Sequence, residues 1–459
     1  MNHLDASRQV SGVVYRTLAR LLFISLLLLF IYPFFLIVSG VDPSAPIEIQ
    51  SEMKLVYYLQ IVLPFLCVAI AMMYRGPDAL LLSLHCLILI YPAVCLTSAI
   101  WSVDSYDTIK FACLMVIYIL AIGAICQLLD IEVLCKLIVR VLVFLMLASV
   151  VMAVAFPRYG THLIEDGIEG GHAGLWRGVF IHKNQLGAAA SVSVFVFLVF
   201  PRFISTSLSF RLICIAAATA CLIFAQSAGS LVALCVLLVF YCLIRALPVS
   251  GNILVLIVFG VSALAFAAFE FFSADFVAMV GRDVTLTGRT EIWRIVLNAI
   301  WQNPFLGYGY DAATANFIKP LLIGQVGPAA VDAHNGYLDV MLGTGFLGLT
   351  ILLYCISSVT RDGITRAKIS VESKSDCFLL LVSFPMLSLF FSFFEVAALS
   401  SVQGLLGALT FLSLTAIPLY LRLDLRGYRS SAVSRRSASR LPATQKRGTS
   451  SWKPATTGR

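Results

Sequence analysis

Residue types able to do chemistry gather in two polar stretches of an otherwise apolar chain, Pro157 to Asn184 and Ser273 to Asn335. The first holds Arg158, His162, His172, Arg177, His182 and Lys183, and it ends on the run Gly174 to Gly187, which includes Trp176 and Asn184. So many cationic and titratable groups together point to an anion held there. Trp176 and Gly178 flank Arg177 and single it out; the plainer reading is a loop that solvates itself or meets lipid headgroups. In the second stretch, Gly288-Arg289 precede Ile292, Ile295, Val296, Ala299 and Ile300. That spacing predicts an amphipathic helix, stopped at Asn303-Pro304 and lying on the membrane surface. Its free N-terminal amides, with Arg289 beside them, suit an anion. Gly307-Tyr308-Gly309-Tyr310 predicts a tight turn whose tyrosines stack on a sugar ring, against ordinary loop chemistry. His334-Asn335 opens the next apolar run, where an imidazole titrates near neutrality and suits a general base acting on a hydroxyl; helix capping is the alternative. Glu291 and Asp332 are the reserve bases. The glycines at 343, 345 and 348 let the following helix pack closely and fix where His334 points.

The elements that must position these groups follow from composition. With 60% hydrophobic and 12% charged residues and a mean hydropathy of +0.95, a soluble domain is excluded and an all-α polytopic membrane protein is implied. About twelve spans are predicted: Leu21–Val38, Leu55–Met73, Leu80–Ile100, Phe111–Leu129, Leu134–Phe156, Gln185–Phe200, Leu212–Phe224, Leu231–Leu247, Ile253–Phe272, Tyr337–Ser357, Cys377–Phe394 and Val402–Leu421. Basic residues favour the cytoplasmic side. Arg8, Arg16, Arg20, Arg75, Lys136, Arg202, Arg211, Arg245, Arg361, Arg366 and Lys368 fall in alternate loops, and Asp42, Glu48, Glu52, Asp104, Asp107, Glu165, Asp166 and Glu169 in the others. Both termini are then cytoplasmic. Residues 1–20 form an inner N-terminus, 21–421 the transmembrane domain with outward loops at about 157–184 and 273–335, and 422–459 a basic tail read as disordered after about Arg426. The first span reads as an uncleaved signal anchor.

The net charge of +8 speaks for topology and anionic lipid rather than nucleic acid. The twelve cysteines have no CxxC spacing and lie mostly within spans, as packing residues rather than metal ligands or disulfides. No cofactor is expected.

The ordered set Trp101-Ser102, Arg177 to Gly187, Gln226-Ser227, Gly288-Arg289 with Trp293, Asn303-Pro304 with Gly307-Tyr308-Gly309, and His334-Asn335 with Gly343 and Gly348 resembles the bacterial O-antigen ligase and polysaccharide polymerase family, particularly its exopolysaccharide polymerase branch. The resemblance implies a GT-C-like, metal-independent, inverting glycosyltransferase. Such an enzyme takes glycan from undecaprenyl pyrophosphate at the periplasmic face of the inner membrane, with flippase and chain-length or export proteins as further partners. It also implies Arg177 and Arg289 for the pyrophosphate and His334 for acceptor activation, with Trp176, His182, Lys183, Asn184, Tyr308, Tyr310 and Asn335 lining the substrate. Guanidinium forks suit a departing diphosphate. The rivals are a ligase, which moves finished glycan to a lipid A core or another acceptor, and a transporter. Transport is disfavoured because the span centres hold little beyond His85.

Overall fold

The computed structural model describes residues 3–29, 54–78, 83–84, 86–163, 172–204, 207–247, 250–257, 259–261, 263–264, 267, 287–327, 330–395, 399 and 401–439. The second half of the first expected span, His85, nine residues of Ile253–Phe272, and the acidic residues 42, 48, 52, 165, 166 and 169 lie outside these. Among the described residues the chain is helical, and one isolated bridge, Thr161 to Trp176, is its β pairing.

The helices are α1 (His3–Leu28), α2 (Lys54–Arg75), α3 (Ile90–Thr97), α4 (Ser105–Leu128), α5 (Ile131–Ala155), α6 (Lys183–Val199), α7 (Leu208–Phe224), α8 (Ala228–Ala246), α9 (Thr287–Gln302), α10 (Gly336–Ile369), α11 (Glu372–Phe391) and α12 (Leu405–Ser439). Seven helices among the described residues are long and apolar enough to cross a bilayer, and Leu87–Ile100, Lys183–Val199, Leu208–Phe224 and Gly251–Val261 are shorter apolar ones. Helices are the form such sequences take, because lipid offers no partner for a backbone amide. This is a polytopic helical membrane protein. Helix α11 lies at its centre, almost wholly buried, between α10, α8, α5 and α6.

Contacts at the helix ends sort into two sets. In one, Arg202 and Arg245 both pair with Asp376 at 3.2 and 2.7 Å, Lys368 donates to the Leu247 carbonyl oxygen, and Arg75 donates to that of Gln127. The other set joins Asp104, Asp107 and Asn316, Trp101 and Leu306, and Asn184 and Glu395.

One expectation is corrected. The apolar stripe of α9 does not lie on a membrane surface: Ile292, Ile295, Val296, Ala299 and Ile300 are buried with Ala313, Ile318, Leu322, Ala333 and Leu342 in one hydrophobic cluster. The residues after the helix supply a better apolar partner than lipid headgroups. The described backbone of α12 continues as helix to Ser439.

Candidate active site

Helix α10 is broken where its glycines fall. Gly345 has φ 65° and ψ −169° inside the helix, a conformation that excludes a Cβ. The loop after α9 fills the break: Tyr308 N–H donates to the Leu342 carbonyl oxygen at 2.8 Å, Gly309 N–H to that of Gly343 at 2.9 Å, and Phe346 N–H to that of Pro304 at 2.8 Å. At the other end of α9, Trp293 Nε1 donates to the Ala333 carbonyl oxygen at 2.9 Å. Trp293 stands one turn beyond Arg289, so this bond sets the first turn of α9 beside His334.

His334 is held tightly. Its φ is 44°, a left-handed backbone that costs a non-glycine residue free energy and tends to persist at functional sites. The Asp332 carboxylate compensates: Oδ1 accepts the His334 backbone N–H at 2.7 Å and lies 3.2 Å from its Nδ1. Such a carboxylate selects the tautomer with hydrogen on Nδ1 and leaves Nε2 to act as acceptor. Asn335 is buried and serves as the N-cap of α10, accepting from the Tyr337 and Leu338 amides; the capping role weighed for His334 belongs to its neighbour. The start of α10 is fixed in turn by Gly336 N–H on the Ser392 carbonyl oxygen at 2.7 Å and Tyr337 Oη on that of Leu389.

Glu395, just past α11, closes the constellation. Its Oε1 accepts from Asn184 Nδ2 at 2.6 Å. Burial pushes its pKa above the ordinary carboxylate range; His334, the Asn184 bond and Arg289 pull it back, while Asp332 adds to the rise. Only close charges act so. His334, Asp332, Arg289, Asn184 and Glu395 therefore share one polar site, built from four separate parts of the chain. On its other flank, ring centroids of His162, His172 and His182 lie 5.1 to 5.9 Å apart. Lys183 bonds into this flank through its backbone, whose N–H donates to His162.

Other expected site residues have structural duties. Arg177 is 3% exposed; its Nε donates to the Tyr159 carbonyl oxygen at 3.0 Å and its Nη2 reaches that of Arg158. These bonds fasten the loop that precedes α6. Trp176 stacks on Phe224 at 4.6 Å. Tyr310 is buried edge-on to Tyr91. Tyr308 stacks on Phe317 and donates from its hydroxyl to the Ala299 carbonyl oxygen. The paired glycines bring this turn against α10 and Ser102, which buries Tyr310 and leaves Tyr308 half-buried. Glu291 is exposed and bidentate to Arg294, which lowers its pKa; it takes no part in the cluster.

Sequence reasoning missed Glu395 as a site residue. Its signal was an isolated acid ending the run Phe390-Phe391-Ser392-Phe393-Phe394, where a charge has no packing purpose.

The fold and site define a multi-pass helical membrane protein with a cluster of charged and polar side chains at its helix ends. Residues 212–353 match the family model described as O-antigen ligase, so that segment is similar to the family that the motifs resemble. That segment runs from α7 into α10 and includes Arg289, Asp332 and His334, while Asn184 and Glu395 lie outside it. The chain is similar to the ComP-specific O-oligosaccharyltransferase of Acinetobacter baylyi, 29% identical over 113 residues, 24% of this chain and 19% of the relative. It is also similar to the exopolysaccharide production protein ExoQ of Rhizobium meliloti, 32% identical over 79 residues, 16% of this chain and 18% of the relative. Each match thus spans under a fifth of the curated relative.

Proposed function

We propose that this protein is an inverting, metal-independent glycosyltransferase that polymerises undecaprenyl-pyrophosphate-linked repeat units at the periplasmic face of the bacterial inner membrane. The observation that carries the reading is the meeting of Arg289 with the His334–Asp332 pair around Glu395, inside and beside a segment matching an O-antigen ligase model. In the reaction, an acceptor sugar hydroxyl attacks the anomeric carbon from the face opposite the diphosphate. A carbon–oxygen bond forms as the bond to the diphosphate oxygen breaks, and the configuration inverts. His334 Nε2 takes the hydroxyl proton, and the Asp332 carboxylate steadies the imidazolium through Nδ1–H. Arg289 offers its guanidinium fork to the leaving diphosphate as charge builds on it.

The likeness to an oligosaccharyltransferase and the ligase description of the family support a second reading, in which the same donor half serves a non-polymer acceptor. The two differ only in which hydroxyl enters. The test is purified protein in detergent, given a synthetic polyprenyl-diphosphate repeat unit with EDTA present. Mass spectrometry is expected to show glycan of two or more repeats together with free polyprenyl diphosphate, and neither in Arg289→Ala or His334→Ala. Extension only when a lipid A core is supplied selects the ligase. Movement of the lipid-linked unit across liposomes with no new glycosidic bond overturns both.

A further inference from the structure

The first turn of α6 is capped by histidines. The first amides of a helix have no i→i−4 partner within it, and here histidine groups take them up. Gln185 and Leu186 N–H donate to the His182 carbonyl oxygen. Asn184 N–H donates to His182 Nδ1 at 3.2 Å, and Lys183 N–H donates to His162 Nε2 at 3.1 Å. A ring nitrogen that accepts a hydrogen bond carries no proton. Both caps therefore require neutral imidazoles, unlike the Ser, Thr, Asp or Asn that usually stands at this position.

We propose that His162 and His182 are positioning residues for the site: as neutral rings they hold the first turn of α6 and so keep Asn184 against Glu395, and acid releases that hold. The surroundings set the sign. His162, His172, Lys183 and His334 all face His182, and the positive end of the α6 dipole adds to them; Glu395 is reached only through Asn184. Burial first, and then repulsion from the charged forms of these neighbours, holds the His182 pKa well below its ordinary 6.5. The capped form thus resists the proton, while the released form takes it normally. The hold is full above pH 6.5 and weakens progressively as pH falls below it. Ring centroids at 5.1 and 5.8 Å mean that a second proton also meets a like charge.

The consequence for glycan transfer rests on the function proposed above, whereas the latch does not, so its primary readout is amide exchange. Hydrogen exchange on full-length protein in detergent, expressed as protection factors, is measured for Lys183 and Asn184 between pH 7.5 and 5. Protection is expected to fall about tenfold in the unaltered chain. It should stay within about twofold in the double variant His162→Gln, His182→Asn, whose amide oxygens accept the same bonds without titrating. Thermal melting at pH 7.5 checks that the variant is folded; if it is not, His182→Asn alone serves. Equal loss of protection in the variant, or none in the unaltered chain, overturns the proposal. If transfer is measurable, the acid limb of its pH profile, scaled to each protein's own maximum, should move to lower pH in the variant. An unmoved limb combined with retained protection assigns the acid loss to His334 or Glu395 and refutes any catalytic consequence of the latch.

Discussion

Asn184 Nδ2 donates to Glu395 Oε1 across 2.6 Å, tying the first turn of α6 to the segment beyond α11. The bond joins residues 211 positions apart, beside His334 and Arg289. Glu395 is held above its ordinary 4.5 chiefly by burial. A raised folded-state value means that the folded chain binds the proton more tightly than the unfolded chain does. Its contribution to stability is complete below pH 4.5 and is lost as pH rises through the folded value. Glu395→Gln should therefore raise the melting temperature at pH 7.5 and leave it nearly unchanged at pH 4, while transfer drops by about tenfold or more. Melting curves at the two pH values read the first part; a variant less stable at pH 7.5 contradicts the burial argument.

The His334–Asp332 contact predicts two separable defects. Asp332→Asn removes the carboxylate that selects the Nδ1–H tautomer and should lower kcat by roughly 10²–10⁴-fold. His334→Gly should lose activity to a similar degree but keep its fold, because glycine adopts a φ of 44° without strain. Imidazole added to that variant should restore part of the rate, and none to His334→Ala if alanine distorts the loop. Failure of imidazole at every concentration, in a variant that melts normally, would falsify the general-base role.

Arg289 is expected to bind by geometry as well as charge. A guanidinium grips two phosphate oxygens at once, whereas an ammonium is a point charge. Arg289→Lys should therefore lose most of what Arg289→Ala loses, roughly 10²–10³-fold in kcat/KM. Steady-state rates with the lipid-linked donor varied measure it, and near-complete retention by Lys would reduce Arg289 to a field effect.

Much of the fold was legible because a bilayer leaves few choices. Apolar runs such as Phe111–Leu129 and Leu134–Phe156 reappear as α4 and α5, shifted by a few residues. The stripe on α9 was legible too, and only its partner was not. Periodicity reports that a face must be buried but is silent on what buries it. For the same reason the burial of Tyr310 could not be read locally: it depends on residues more than two hundred positions away, such as Ser98 and Ser102. Arg289 and His334 could be paired through a shared polar stretch. Asn184 and Glu395 could not, since no local pattern joins the start of one helix to the end of another.

The break in α10 gives the last prediction. At Gly345 a Cβ would run into the Phe305 carbonyl oxygen, whereas at Gly343 it would meet Tyr310 Cα at 3.3 Å, and at Gly324 it would meet nothing within 4 Å. Gly345 also needs its positive φ. Gly345→Ala must either strain the backbone, at about 1–3 kcal/mol, or push out the 304–309 loop that holds α9. Because α9 carries Arg289, the second course should cost activity beyond the loss of folded protein. Gly343→Ala needs only a shift of a few tenths of an ångström and should be milder. Gly324→Ala, in open space, should be neutral or stabilising by up to about 1 kcal/mol. The order of melting temperatures across the three variants is the measurement. Should Gly345→Ala melt with the unaltered protein, the glycine is a passenger and the kink has another cause.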